Sequence, residues 1–239
     1  MSILKTIYLQ HLNGANVNMT LDSSGNIGVG NTSPQYRLDV TDNTTGQQIR
    51  VSSSHGNGTS TGFVSSSTNG RTWRVGSNYV DGLGEFAIYD ATSSANRLNI
   101  NSSGYVTMPN QPAFFAYPNT NTTLGTTTSP YIFAVTTFNR GSNYSTSTGR
   151  FTAPVAGAYH FSYGVQHNAN FNDNLVVDLR VNGGQYGGVV RAEWTTGALF
   201  NMVTASATIY LNVNDYVTID SIGGTGWGDD AWFSGHLIG

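Results

Sequence analysis

Residues Gly149 to Gln166 read GRFTAPVAGAYHFSYGVQ, and the fold class follows from the way that stretch alternates. Arg150 to Thr152 predicts a short extended piece, and Pro154-Val155-Ala156-Gly157 a turn. Proline presets its own φ there, and glycine takes a φ that other residues avoid. A strand is predicted from Ala158 to Gln166. Its odd positions are Tyr159, Phe161, Tyr163 and Val165; its even positions are His160, Ser162, Gly164 and Gln166. That is a period of two, with an aromatic-rich face to bury and a smaller, more polar face opposite. A helix cannot use this pattern.

The alternation continues downstream. Leu175, Val177, Leu179 and Val181 share one face, with Asp178 and Arg180 on the other. Ala205, Ala207, Ile209, Leu211 and Val213 alternate with Ser206, Thr208 and Tyr210, and Val217 and Ile219 with Tyr216, Thr218 and Asp220. These are sandwich strands with one face in a core. No stretch reads as a long amphipathic helix, so the expected class is all-β.

Composition narrows the function classes. Of the 239 residues, 10% are charged and 12% aromatic. The charge is far below the usual quarter or so, but the aromatic content argues against disorder. The net charge is −3 and Lys5 is the only lysine. There is no electrostatic footprint for nucleic acid or for an anionic membrane surface, and no run long enough to insert into a bilayer. With no cysteine, disulfides contribute nothing and the redox compartment stays open.

The first part of the chain has a different texture. Ile3, Ile7, Leu9 and Leu12 alternate in an N-terminal segment, residues 1–20, expected to be an edge strand or an attachment peptide. MTLDSSGNIGV and LNINSSGYVTM read as two copies of one hairpin, each with glycine where a tight turn needs positive φ. Ser52 to Ser67 is nearly all Ser, Gly, Thr and Asn, a long loop or part of a thin stalk. Strands so short and polar are marginal alone. The prolines of Met108-Pro109-Asn110-Gln111-Pro112 mark a boundary. The expected domains are therefore 1–20, 21–108 as a β-rich stalk, and 109–239 as a sandwich.

FTAPVAGAYHFSY resembles the central signature of the C1q-like family, the globular head related to tumour necrosis factor. Pro112 to Ala116 is similar to the opening strand of that family, Thr136 to Asn139 to its second, Asp178 to Gly183 to its middle strand and turn, and Phe233 to Ile238 to its closing strand. The match covers about the last half of the chain. It implies a ten-stranded jelly-roll sandwich that forms a homotrimer and binds other molecules without transforming them. DSSGNIGVGNTSPQYRLDV resembles a motif of bacteriophage fibre proteins, and Asn69 to Gly76 and Phe86 to Asp90 resemble strands of the same region.

Together the two resemblances imply a non-enzymatic, trimeric tail-fibre or virion-surface protein. Its head would recognise a glycan or protein on the host surface, and its N-terminal region would hold other virion proteins. A capsid-decorating or assembly protein and a secreted C1q-like recognition protein are the alternatives. MSILKTIYLQHLNGANVN has no long apolar core with a cleavage site, so delivery outside the cell is expected by a route such as host lysis, unless the chain has been trimmed.

If hairpins simply alternate direction, three loops gather at the distal tip: 168–173, 194–197 and 223–230. They hold Asn170, Phe171, Asp173, Trp194, Trp227, Asp229 and Asp230. Aromatic faces beside carboxylate and amide groups suit sugars, the ring stacking on C–H faces while oxygens take the hydroxyls. Each tryptophan taken alone reads more readily as a cap on the open end of the sandwich, whereas the loop set as a whole reads as a binding surface. Asp229-Asp230 is a weak calcium candidate, because hard oxygen ligands are present without a spaced acidic loop. No other cofactor is expected. Catalysis is not expected either: His160 and His167 lie seven residues apart on opposite faces, no nucleophile elbow accompanies them, and Asp173 with Asp229 or Asp230 is the one conceivable carboxylate pair. His160, Tyr163, Tyr210 and Tyr216 are the candidates for a subunit contact, although tyrosine is common on exposed strands in any case.

Overall fold

The computed structural model describes residues 7–10, 17–41, 49–52, 58–77, 84–119, 123–124, 130–167, 174–186, 191–194, 202–223 and 226–239. Every regular element among them is a strand. The chain divides into two compact units, Met1–Ala95 with Asn99–Tyr105, and Asn96–Leu98 with Val106–Gly239.

In the first unit, β1 (Ile7–Gln10), β2 (Val17–Leu21), β3 (Ile27–Val29) and β4 (Leu38–Val40) form one sheet in that order. Its pairs are antiparallel except β3 with β4, which is parallel. β5 (Thr59–Val64), β6 (Thr72–Ser77) and β7 (Phe86–Asp90) make an antiparallel meander, followed in the chain by β8 (Ala95–Ile100) and β9 (Val106–Thr107). The repeated hairpin has a physical cause. Asp22 Oδ1 accepts the amides of Ser24 and Asn26, each at 2.8 Å; Asn101 Oδ1 accepts those of Ser103 and Tyr105, at 3.0 and 2.9 Å. Gly25 and Gly104 follow at φ 79° and 85°, a region where a Cβ is penalised.

The second unit begins its sandwich with β10 (Ala113–Tyr117), β11 (Thr123–Leu124), β12 (Val135–Arg140), β13 (Tyr144–Ser145), β14 (Arg150–Thr152) and β15 (Gly157–His167). It continues with β16 (Leu175–Val181), β17 (Gly184–Gln185), β18 (Arg191–Trp194), β19 (Met202–Leu211), β20 (Tyr216–Gly223) and β21 (Gly226–Leu237). One sheet runs β12-β10-β21-β15-β19, with β11 also on β21; the other runs β13-β14-β20-β16-β17, with β18 also on β16. Twelve strands are described here against the ten that the family resemblance implies, and β11, β13 and β17 are two-residue pieces.

β15 is the hub of the first sheet. It pairs along nearly its whole length with both β19 and β21, and its alternation has the expected outcome: Tyr159, Phe161, Tyr163 and Val165 are fully buried. The two sheets meet on an aromatic cluster. Phe114 stacks on Tyr144 at 4.7 Å and on Phe151 at 5.2 Å, and meets Phe233 edge-on at 4.9 Å. Gly235 sits directly opposite Phe161 on the neighbouring strand. A Cβ there would lie 2.4 Å from the Phe161 ring, so only glycine lets that ring lie across β21.

Tyr163, an expected subunit contact, belongs to this core. It is wholly buried, and its hydroxyl donates to the Val177 carbonyl of the facing sheet at 2.8 Å. Its odd position on β15 put it on the aromatic face, so it has no surface to offer a second chain.

Phe233 touches Phe114, Phe133, Tyr144 and Phe161. Phe233→Ala is expected to cost about 3–5 kcal/mol, read as a lowered urea midpoint at fixed protein concentration with the slope unchanged. A loss below about 1 kcal/mol would show that the cluster closes without it.

Candidate functional site

The strand register decides which residues can meet at the end of the sandwich. Gln166 lies opposite Trp227 and His167 opposite Gly226, Leu175 opposite Trp194, and Val176 opposite Gly223. The ends of β15, β18 and β20 and the starts of β16 and β21 therefore come together. At the other end, the turns after β16 and β19 touch: Asn182 Nδ2 donates to Asp215 Oδ1 at 2.8 Å, and the Tyr216 amide donates to Asn182 Oδ1 at 3.0 Å. The Asn182 amide, and then the Asn212 backbone N–H, hold the Asp215 carboxyl below the usual range.

The candidate tip residues fare unequally. Asn170, Phe171 and Asp173 lie outside the described residues, as do the side chains of Trp194, Trp227 and Asp229. Trp194 is the last residue of β18. The expected loop 223–230 is corrected: β21 already begins at Gly226, so Trp227, Asp229 and Asp230 are strand residues. The reason is pairing on both sides, since Trp227 lies opposite Thr123 of β11 and Gln166 of β15. Asp230 is exposed. Among the described residues no group of three or more His, Asp or Glu side chains is arranged to hold a metal ion.

The outer face of the first sheet carries a second set. Directly opposed residues share a face, so Arg140, Ala113, His236, His160 and Thr208 form one row across five strands. Phe138, Phe115, Ser234, Ser162 and Ser206 form the next. Phe115, Phe138, Arg140, Ser234 and His236 line a shallow depression of about 390 Å³. The imidazoles of His160 and His236 lie 5.6 Å apart, and His160 Nδ1 is 3.2 Å from the Thr208 hydroxyl. His167, which the sequence set apart from His160 by its spacing, is buried. His236 was recognisable only as an alternate position on the closing strand, because the register that opposes it to His160 is a long-range property.

Tyr210 is exposed on this same sheet. Tyr216 is on the other one, half-buried with the Arg150 guanidinium 4.3 Å over its ring. The four expected contact residues therefore do not share a surface.

The outer face of the second sheet buries polar groups. Asp178 opposes Asp220 and Arg180 opposes Thr218, and Asp178, Thr218 and Asp220 are all buried. Gln185 folds back to donate to Asp178, and Arg180 Nε lies 3.6 Å from Asp220 Oδ2. Burial pushes the Asp220 carboxyl up, against a Thr218 hydrogen bond and the Arg180 charge, which pull it down. A carboxyl whose folded pKa exceeds its unfolded value contributes stability that is full below the ordinary carboxylate range and is lost as pH rises through the raised value. Urea midpoints of the parent chain should therefore fall across that window relative to Asp220→Asn, which lacks the titration. Parallel pH profiles would refute the assignment.

A family model described as "C1q domain" matches residues 113–238. "Complement C1q tumor necrosis factor-related protein 7" of Mus musculus is 31% identical over 117 residues, which is 46% of this chain and 38% of that protein. The chain thus spans less than half the length of the curated relative it matches. The globular domain of zebrafish complement 1qA protein superposes with a TM-score of 0.46 at 21% identity, over 54% of this chain and 98% of that one. Eiger TNF from S. frugiperda gives 0.42 at 10% identity, over 54% and 93%. Murine APRIL gives 0.40 at 12% identity, over 54% and 99%. With more than half of its residues inside the matched region, the chain belongs to the C1q domain family.

Proposed function

We propose that residues 109–239 act outside the cell as a non-enzymatic recognition head that works as a homotrimer, with 1–20 as an attachment segment and 21–108 as a stalk. The observation that carries this reading is the outer face of the first sheet. Phe138, Met202 and Tyr210 stand at 46, 45 and 63% exposure on strands whose opposite faces build the core. Between these large side chains the rows carry Ser234, Ser162, Ser206 and Thr208, small groups that let another chain approach closely. A sheet face of this kind is suited to association, large apolar anchors standing among small residues.

Recognition is assigned to the end where β15, β18, β20 and β21 terminate or begin. Trp194 and Trp227, with Asn170, Phe171, Asp173, Asp229 and Asp230, would hold a cell-surface glycan or protein there. Three copies turn weak sites into one multivalent surface, so modest affinity per site can hold a cell.

A second reading, a bacteriophage tail fibre or other virion-surface protein, is favoured by the first unit. Leu9, Leu38, Phe63 and Val64 are 53, 59, 58 and 73% exposed in one chain, and winding chains together would cover them. The phage-like DSSGNIGVG motif lies in the same unit. Binding to virus particles rather than to host cells would move the assignment from receptor recognition to capsid decoration.

Light scattering of the parent chain should give three chain masses, and Tyr210→Glu combined with Phe138→Asp should give one while circular dichroism stays unchanged. A monodisperse single-chain mass for the parent would overturn the trimer. On a glycan array, Trp194→Ala and Trp227→Ala should each abolish binding without changing the mass. Unchanged binding in both would remove the tip from the site.

A further inference from the structure

We propose that His160 and His236 form a two-imidazole site for a divalent transition-metal cation of the zinc class. The two residues are directly opposed on the antiparallel strands β15 and β21, so both side chains leave the same face at the same height. Their ring centroids are 5.6 Å apart. Two imidazoles bound through nitrogen to one tetrahedral ion, with bonds of about 2.0–2.1 Å, hold their ring centres about 5–6 Å apart. The observed ring separation falls within that range.

The surroundings agree. His160 Nδ1 sits 3.2 Å from Thr208 Oγ1. With the Nδ1 proton directed to that oxygen, Nε2 keeps its lone pair for the metal, the kind of support that fixes the tautomer of a ligating histidine. Imidazole pairs favour Zn²⁺, Ni²⁺ and Cu²⁺ over Ca²⁺ and Mg²⁺, which need oxygen ligands. In the row that crosses the sheet here, Arg140 is the only other charged side chain, and Ala113 separates it from His236. Two protein ligands leave further positions on the ion to water, to a ligand or to a second copy of the chain. The chelate is contained within one chain and does not rest on the trimer reading.

Titration of the full chain with Zn²⁺ at pH 8 should show one saturable site per chain, lost in His160→Ala and in His236→Ala. Thr208→Val should weaken it while leaving both ligands in place. With Cu²⁺, electron paramagnetic resonance should show two coupled imidazole nitrogens in the parent and one in each histidine variant, a readout that does not depend on affinity. A two-nitrogen signal on a single-chain particle would keep this site while removing the trimer. Absence of saturable binding, or a two-nitrogen signal that survives both replacements and so comes from other histidines, would overturn the proposal.

Discussion

The sandwich depends on aromatic rings that cross between its two sheets. Phe114, Phe161 and Phe233 project from β10, β15 and β21, and Tyr144 and Phe151 meet them from β13 and β14. With no disulfide to tie the layers together, these contacts and the aliphatic residues around them supply the inter-sheet cohesion. Aromatic pairs contribute roughly 0.5–1.5 kcal/mol beyond their burial and favour offset or edge-on geometry. They therefore fix how the sheets sit as well as holding them together. Gly235 is part of the same constraint, since a side chain there would displace the Phe161 ring.

Because the rings occupy the interior, the residues available for function are those on the outer faces and at the strand ends. The two outer faces differ in chemistry. That of β16 and β20 draws in carboxylates and a guanidinium and sets them against one another: Asp178 opposes Asp220 and accepts from Gln185, and Arg180 lies beside Asp220. That of β15 and β21 keeps hydroxyls and imidazoles open, flanked by Phe138 and Tyr210. The first is a structural network whose charges already have partners. The second has unspent binding capacity, which is why both the proposed assembly and the proposed cation site fall there.

The first unit is held by a different kind of force. Its repeated turns are fixed by local backbone amides donating to the side-chain oxygens of Asp22 and Asn101, contacts that need no tertiary context. Its larger apolar residues are comparatively exposed, and the apolar residues buried among those described are the small Ala87 and Pro34. Local order with little burial gives a chain the shape of its hairpins but little stability of its own.

The residues alone determined much of this. Alternation in Ala158–Gln166 identified β15 to within one residue at each end, because a period of two admits one buried face and one open one. Asp22 and Asn101 announced their turns because an Asx turn is a contact over a few residues. The FTAPVAGAYHFSY signature led to the C1q family through residues that sit in or beside the core. Other features were decided only by the tertiary structure. The pairing of His160 with His236 depends on strand register, 76 positions away in the chain, and no local pattern encodes it. The early start of β21, which moved Trp227 and Asp230 from a loop to a strand, depends on β11 and β15 pairing on either side. Asp178 and Asp220 alternate like solvent-facing residues, yet they are buried because the sheet and Gln185 enclose them. Periodicity says which face a side chain takes; only the assembled sheets say what that face meets.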